Sequence, residues 1–125
     1  MLQKGCADPE IYKYTHQLNH PLPVAEMRSA TEVWLPRWRD LAASVVVPVM
    51  IGFAGDDLMW KSTEEHLQEF SGAFLRSERV DGCIITGAPH NMEMSYWATG
   101  WYARCFGFAL ECAARFEQKK CLSQV

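Results

Sequence analysis

Pro48-Val-Met-Ile-Gly-Phe-Ala-Gly-Asp-Asp57 and, 33 residues after its last acid, Thr86-Gly-Ala-Pro-His90 decide how this chain is read. The first stretch is an apolar, β-branched run that stops at a glycine turn and two acids. The second closes another short apolar run, Val80 to Thr86, with a glycine turn and a histidine. Between them lies a segment with helical periodicity. Strand, helix, strand in so few residues is the right-handed crossover unit of a parallel sheet. In such sheets functional side chains gather beyond the carboxyl ends of the strands. Asp57 and His90 both sit there. A carboxylate bonded to a histidine Nδ1–H fixes the imidazole tautomer and stabilises the imidazolium formed in proton transfer.

Working outward, Ser44 to Phe53 reads as the strongest strand. Its nearly continuous hydrophobicity fits a parallel strand covered on both faces. Pro48 belongs at its start, with residues 44–47 leading in, because proline removes a ladder hydrogen bond. Ser62-Thr-Glu-Glu65 has capping-box spacing, with Ser62 as N-cap. The helix it opens runs to about Arg76. Upstream, Pro9–Leu18 reads as a short helix. Residues 24–43 read as helix in two pieces divided by Pro36, the second with Trp38, Leu41 and Ala42 on one face. Downstream, residues 95–117 form a long helix. Trp97, Trp101, Cys105, Phe108 and Cys112 recur at helical spacing along one stripe of it. Gly100, Ala103, Gly107 and Ala114 line an adjacent small-residue stripe, which suggests close approach to a sheet, since glycine within a helix costs about 1 kcal/mol against alanine. The tail beyond Phe116 is charged and expected to fray.

The chain of 125 residues is long enough for one core, and 49% hydrophobic against 22% charged residues is the balance of a globular protein. A net charge of -3 with scattered basic residues gives no electrostatic reason for nucleic acid or an anionic membrane as partner. No apolar run spans a bilayer, and the first residues lack a signal-peptide core. Five cysteines, an odd number without a C-x-x-C pair, read as reduced, which favours the cytoplasm. No metal or cofactor motif is visible. His16 and His20 have the spacing of two metal ligands on a helix, but Asn19 and Pro21 weaken helix there and no third ligand follows. His66 reads as a surface histidine. Asp56 reads as a solvated turn residue, and a cation bound by Asp56 and Asp57 lacks further ligands.

Residues 44–117 resemble the C-terminal part of an α/β-hydrolase-fold protein, and residues 1–43 resemble the helical segment that commonly precedes it. The family places its acid in a Pro-(apolar strand)-Gly-x-x-Asp pattern. Counting from Pro48 arrives at Asp57, with Ala54 where glycine is usual. The family's base lies in a Gly-x-x-His turn, matched by Gly87-Ala-Pro-His90, and its closing helix matches Ser95–Glu117. The resemblance implies an α/β fold: a partial three-layer α/β-hydrolase C-terminal unit, αα-β-α-β-α, with two parallel strands. It divides the chain into a helical segment (1–43), that unit (44–117) and a tail (118–125). It also implies Asp57 and His90 as the acid and base of a Ser-Asp-His triad that hydrolyses an ester, thioester or similar bond of a small-molecule substrate. Trp60, Met92, Met94 and Trp97, with Tyr96, flank the two loops and are candidates to line the substrate pocket.

One departure is large. The nucleophile elbow Gly-x-Ser-x-Gly precedes the acid in this family. None of the seven serines, Ser29, Ser44, Ser62, Ser71, Ser77, Ser95 and Ser123, has glycines two residues to either side. Cys83, Cys105 and Cys112 fall on packed positions where a thiolate is disfavoured. The chain therefore reads as a truncated hydrolase-like unit, inactive in acyl transfer by itself. The alternative is a non-catalytic module whose incomplete sheet pairs with a partner chain or with a second copy.

Overall fold

The computed structural model describes residues 2–18 and 20–124. Asn19, read above as weakening a helix between His16 and His20, lies outside the described residues, as do Met1 and Val125 at the ends of the first and last segments.

Helix α1 (Pro9–Tyr14) starts where Asp8 accepts a hydrogen bond from the Glu10 amide at 2.8 Å, with proline in the first turn. A 3₁₀ turn, Thr15–Leu18, extends it to the expected end. Helix α2 (Val24–Arg28) continues as a π-helical turn, Ser29–Trp34, and a 3₁₀ turn, Leu35–Arg37, leads into α3 (Trp38–Ala43). The interruption falls on Pro36, which cannot supply an amide to a continuing α-helix.

Strand β1 (Val49–Ala54) and strand β2 (Val80–Ile85) form a two-stranded parallel sheet, joined through α4 (Glu64–Gly72). Register runs from Val49 opposite Val80 to Ala54 opposite Ile85. Pro48 precedes the first ladder bond, donated by Val49 N–H to the Arg79 carbonyl at 2.9 Å. The preceding valines do not join the sheet. Ser44 and Val45 still bond back into α3, and Val46 and Val47 are exposed. The strand therefore starts five residues later than the apolar run.

With 55% helix and this parallel sheet the fold is mixed α/β. Alternation along the strands sends side chains to opposite faces. On one face Ala54 and Ile85 join Ala88 and Met92 in a buried cluster, against which Cys83, Trp97 and Trp101 pack. Helix α5 (Ala98–Leu122) covers that face. On the other face Phe53 meets Phe70 of α4 at 5.8 Å between ring centroids, and Trp38 of α3 stacks on Phe70 at 5.1 Å. The result is helix, sheet, helices in three layers.

Three local readings are corrected. The N-cap of α4 is Thr63, not Ser62: its extended backbone (φ −115°, ψ 160°) and its hydroxyl, which accepts from the His66 amide at 3.3 Å, do the capping one residue later. That helix ends at Gly72 rather than Arg76. Helix α5 continues through the charged tail to Leu122, because Lys119 and Lys120 sit in its last turn, where cations suit the helix dipole, and Lys119 pairs with Glu78.

The small-residue stripe of α5 does not approach the sheet. A Cβ added at Gly100 or Gly107 meets nothing within 4 Å. The close contact is on the strand instead: a Cβ on Gly52 would lie 2.5 Å from the Trp101 ring. The large residue is on the helix and the small one on the sheet. Gly52→Ala is therefore expected to destabilise the chain by about 1–3 kcal/mol. Gly107→Ala, in open space within the helix, is expected to stabilise it by up to about 1 kcal/mol. Urea denaturation of the two variants reads both signs.

Candidate active site

The loops after the two strands are tied together by backbone. Gly55 N–H donates to the Ile85 carbonyl at 2.9 Å, and Asp56 N–H donates to the Ala88 carbonyl at 3.0 Å. Gly55 has to be small, since a Cβ there would lie 2.9 Å from that same Ile85 oxygen. Gly87 turns the second loop at φ +79°, a left-handed conformation that favours glycine. Ala88 and Pro89 are fully buried behind it. Two short loops stitched together this way leave their side chains little freedom.

The side chains of Asp57 and His90 meet within that frame. Asp57 Oδ2 and His90 Nδ1 are 2.8 Å apart. The other carboxylate oxygen, Oδ1, accepts from the amides of Met59 at 2.7 Å and Trp60 at 3.0 Å. The Asp57 side chain is 6% exposed and that of His90 25%. Burial pushes the Asp57 carboxyl up. The hydrogen bond with His90, the two amides and the attraction to His90 outweigh it and hold the carboxyl below its ordinary range. The group is therefore ionised near neutrality and can only accept. The shared proton belongs to His90 Nδ1, which leaves Nε2 as the basic nitrogen. Among the described residues no hydrogen-bond partner meets Nε2.

Asp56 contributes through its backbone. Its side chain is exposed, and its carbonyl accepts from the Gln3 side-chain amide. The N-terminal segment thus straps the acid loop. It also reaches the far side of the second loop, where Tyr96 N–H donates to the Cys6 carbonyl at 2.9 Å. This strap had no sequence signal, because it is made by backbone groups and one glutamine.

Asp57 and His90 open into a cleft of about 700 Å³. Of the four expected lining residues, Trp60 and Met92 line it and Met94 and Trp97 do not. Trp97 instead braces the base loop: its Nε1–H donates to the Thr86 carbonyl at 3.1 Å and its ring covers Gly87. Tyr96 is exposed outside the cleft. The opposite wall was not anticipated. Trp34, Leu35 and Trp38 come from the helical segment, and Phe53 and Phe70 from the sheet face and α4. Lys61, Ser62, His66, Glu69 and Glu93 add polar groups at its margin.

No family model, curated protein or solved structure matches the chain.

No cluster of three or more His, Cys, Asp or Glu suited to a metal occurs among the described residues. Among those residues no helix is long and apolar enough to cross a membrane. The five cysteines carry free thiols, and burial pushes the Cys105 thiol up, making it a poor nucleophile. The hydroxyls of Ser44, Ser77, Ser95 and Ser123 bond to backbone carbonyls, and that of Ser71 is buried without a partner. Ser62 is the serine that lines the cleft, and no hydrogen bond joins it to His90.

Because the folded Asp57 carboxyl titrates below its unfolded counterpart, its stabilising contribution is complete above the unfolded pKa and is lost as pH falls through the lower folded value. Asp57→Asn is expected to cost about 1–3 kcal/mol at neutral pH, because it unbalances three hydrogen bonds to a largely buried group. The deficit relative to the parent narrows below about pH 4. Urea denaturation at neutral and acid pH measures both; a deficit unchanged by pH contradicts the assignment.

Proposed function

We propose that this chain carries the acid–base half of an α/β-hydrolase-type acyl-transfer site and that the attacking serine comes from residues other than these 125. The observation that carries the reading is the 2.8 Å contact between His90 Nδ1 and an ionised, amide-anchored Asp57, with Nε2 left unbonded at an apolar cleft. In that role Nε2 removes the proton of the attacking hydroxyl and returns it to the leaving group, and then does the same for the water that releases the acyl product. Asp57 stays ionised throughout. It orients the ring and stabilises the imidazolium. The reaction is hydrolysis of an ester, thioester or related bond in a small molecule. The three-layer arrangement and the order of acid, helix and base support the reading, which also takes 1–43 as the segment closing over the site.

The isolated chain is expected to hydrolyse p-nitrophenyl acetate only slowly, through its imidazoles. His90→Ala lowers that rate more than His66→Ala does, and Asp57→Asn lowers the His90-dependent part of it by about tenfold or more. A fluorophosphonate, which marks activated serines, leaves the chain unlabelled by mass spectrometry. Equal effects of the two histidine variants remove the base assignment; a labelled serine, Ser62 first among them, places the nucleophile inside the chain.

A second reading is favoured by a different observation. Each strand has only one neighbour, so the outer edges of β1 and β2 are unpaired among the described residues. Val46, Val47, Tyr102, Phe106 and Leu110 are exposed nearby or on the outer face of α5. Such edges and faces accept other chains. In this reading the chain is a non-catalytic module that adds to a partner's sheet or to its own copy. Val49 and Gly55 donate toward β2, so the amides of Met50, Gly52 and Ala54 point to the open edge. Sedimentation velocity over a concentration series then shows association that Met50→Pro weakens. A chain monomeric at every concentration removes the self-pairing form of this reading.

A further inference from the structure

We infer that the cleft beside His90 selects neutral, flat aromatic ligands of about two rings, which names a substrate class for the site just proposed and rests on that cleft being its substrate side. Four observations lead there. The first is the wall. Trp34, Trp38, Phe53, Trp60 and Phe70 all border the space that His90 faces. Trp38 and Phe70 are already stacked, 5.1 Å apart and 18° from parallel, and Phe53 tilts against Phe70 at 5.8 Å. Together they form a contiguous aromatic floor.

The second is exposure. Trp34 and Trp60 remain 52% and 65% exposed although they border a concave site. Large indoles left uncovered at a cleft beside a basic nitrogen offer faces and edges to a ligand ring. Stacked and edge-on aromatic pairs gain affinity beyond the area they bury, a gain that a saturated ring of equal size does not collect.

The third is charge. Asp57 is paired with His90, and Glu69 with Arg39, whose guanidinium also lies 4.5 Å from the centre of the Trp38 ring. The His66 ring is engaged by the Thr63 hydroxyl at 3.1 Å. What remains on the lining is one cation, Lys61, and one anion, Glu93, so the two signs are present in equal number. A charged ligand would lose hydration there and meet a like charge as well as an opposite one. The fourth is size. About 700 Å³ lies within the range that holds a drug-sized molecule, more than one ring and its linker require.

The test uses three unreactive amides with the full chain, so that binding is read without turnover: N-benzylbenzamide, its fully saturated dicyclohexyl counterpart, and a carboxylate-bearing benzylbenzamide. Isothermal titration calorimetry is expected to show saturable binding of the first, with the other two about fivefold weaker or worse. Trp60→Ala and Trp34→Ala each weaken the neutral aromatic amide about fivefold or more, and Trp60→Phe restores most of the loss. Leu75→Ala, exposed and away from the cleft, leaves binding unchanged. Should an alanine variant fail to fold, saturation-transfer NMR on the parent chain reads the same preference in direct competition. Equal affinity for the saturated amide, tighter binding of the carboxylate, or no saturable binding overturns the inference. So does an affinity that falls as protein concentration rises, because a second copy then occupies the cleft. Binding with the stated preference but no His90-dependent esterolysis keeps this inference and removes the triad reading; the reverse pattern does the opposite.

Discussion

Ala54 and Ile85 are partners at the carboxyl ends of two parallel strands, and the backbone continues to pair for several residues beyond them. Everything that concerns the site follows from this continuation. In a parallel pair both chains leave the sheet in the same direction. Without further ties the two loops would diverge by the twist of the sheet. Here the amides of Gly55 and Asp56 hold the acid loop against the base loop through Ile85 and Ala88. A slip of one residue in register would turn every side chain to the other face. It would break these two bonds and separate the carboxylate from the imidazole.

The same register decides how the helices sit. Gly52 and Ala54 present a thin surface to α5, and Trp101 fills the space over Gly52. The opposite face is thick, with Phe53 meeting Phe70 and Leu67 lying over Gly82. A narrow sheet has few positions with which to bury side chains. Only ten apolar residues, Pro89 included, are buried among those described, and none of them lies in α5. The inward stripe of α5 is half-buried, while Tyr102, Phe106 and Leu110 on its outer side face solvent. That helix is apolar on two sides and has sheet on one. The imbalance, more than any single contact, is the physical reason to look for another surface that this chain meets.

Sequence pattern found those features whose signal is local. The two apolar runs, the glycine turns after them and the break at Pro36 are set by residues within a few positions, and the strand ends that carry Asp57 and His90 came with them. Three things were hidden. The valines at 45–47 have strand propensity, but α3 ends through backbone bonds from Ser44 and Val45, and a two-stranded sheet has no third strand to recruit them. The cap of α4 moved by one because two adjacent hydroxyls satisfy the same pattern and only the backbone angle of Thr63 separates them. The aromatic wall of the cleft joins residues of four separate segments, so no window of sequence contains it. The small-residue stripe of α5 misled for a related reason. Close packing needs smallness on one partner only, and that partner is Gly52.

A carboxylate and an imidazole in contact need not signify catalysis, since such a pair also serves as a buried strut. The distribution of hydrogen bonds differs between the two side chains. Asp57 is fully committed: one oxygen takes two amides, the other takes His90, and burial alone would otherwise push its proton affinity up. The histidine is committed on one side only: its side chain is 25% exposed, and Nε2 faces the solvent of the cleft. His90 is bonded on Nδ1 alone and borders the cleft. The carboxylate is arranged as a support and the imidazole as an open end. That asymmetry is produced by loops that this chain closes by itself, so the pair can be poised before any nucleophile arrives. In the acyl-transfer reading proposed above, an attacking hydroxyl would have only to reach Nε2 across the cleft and would take no part in building the geometry that activates it.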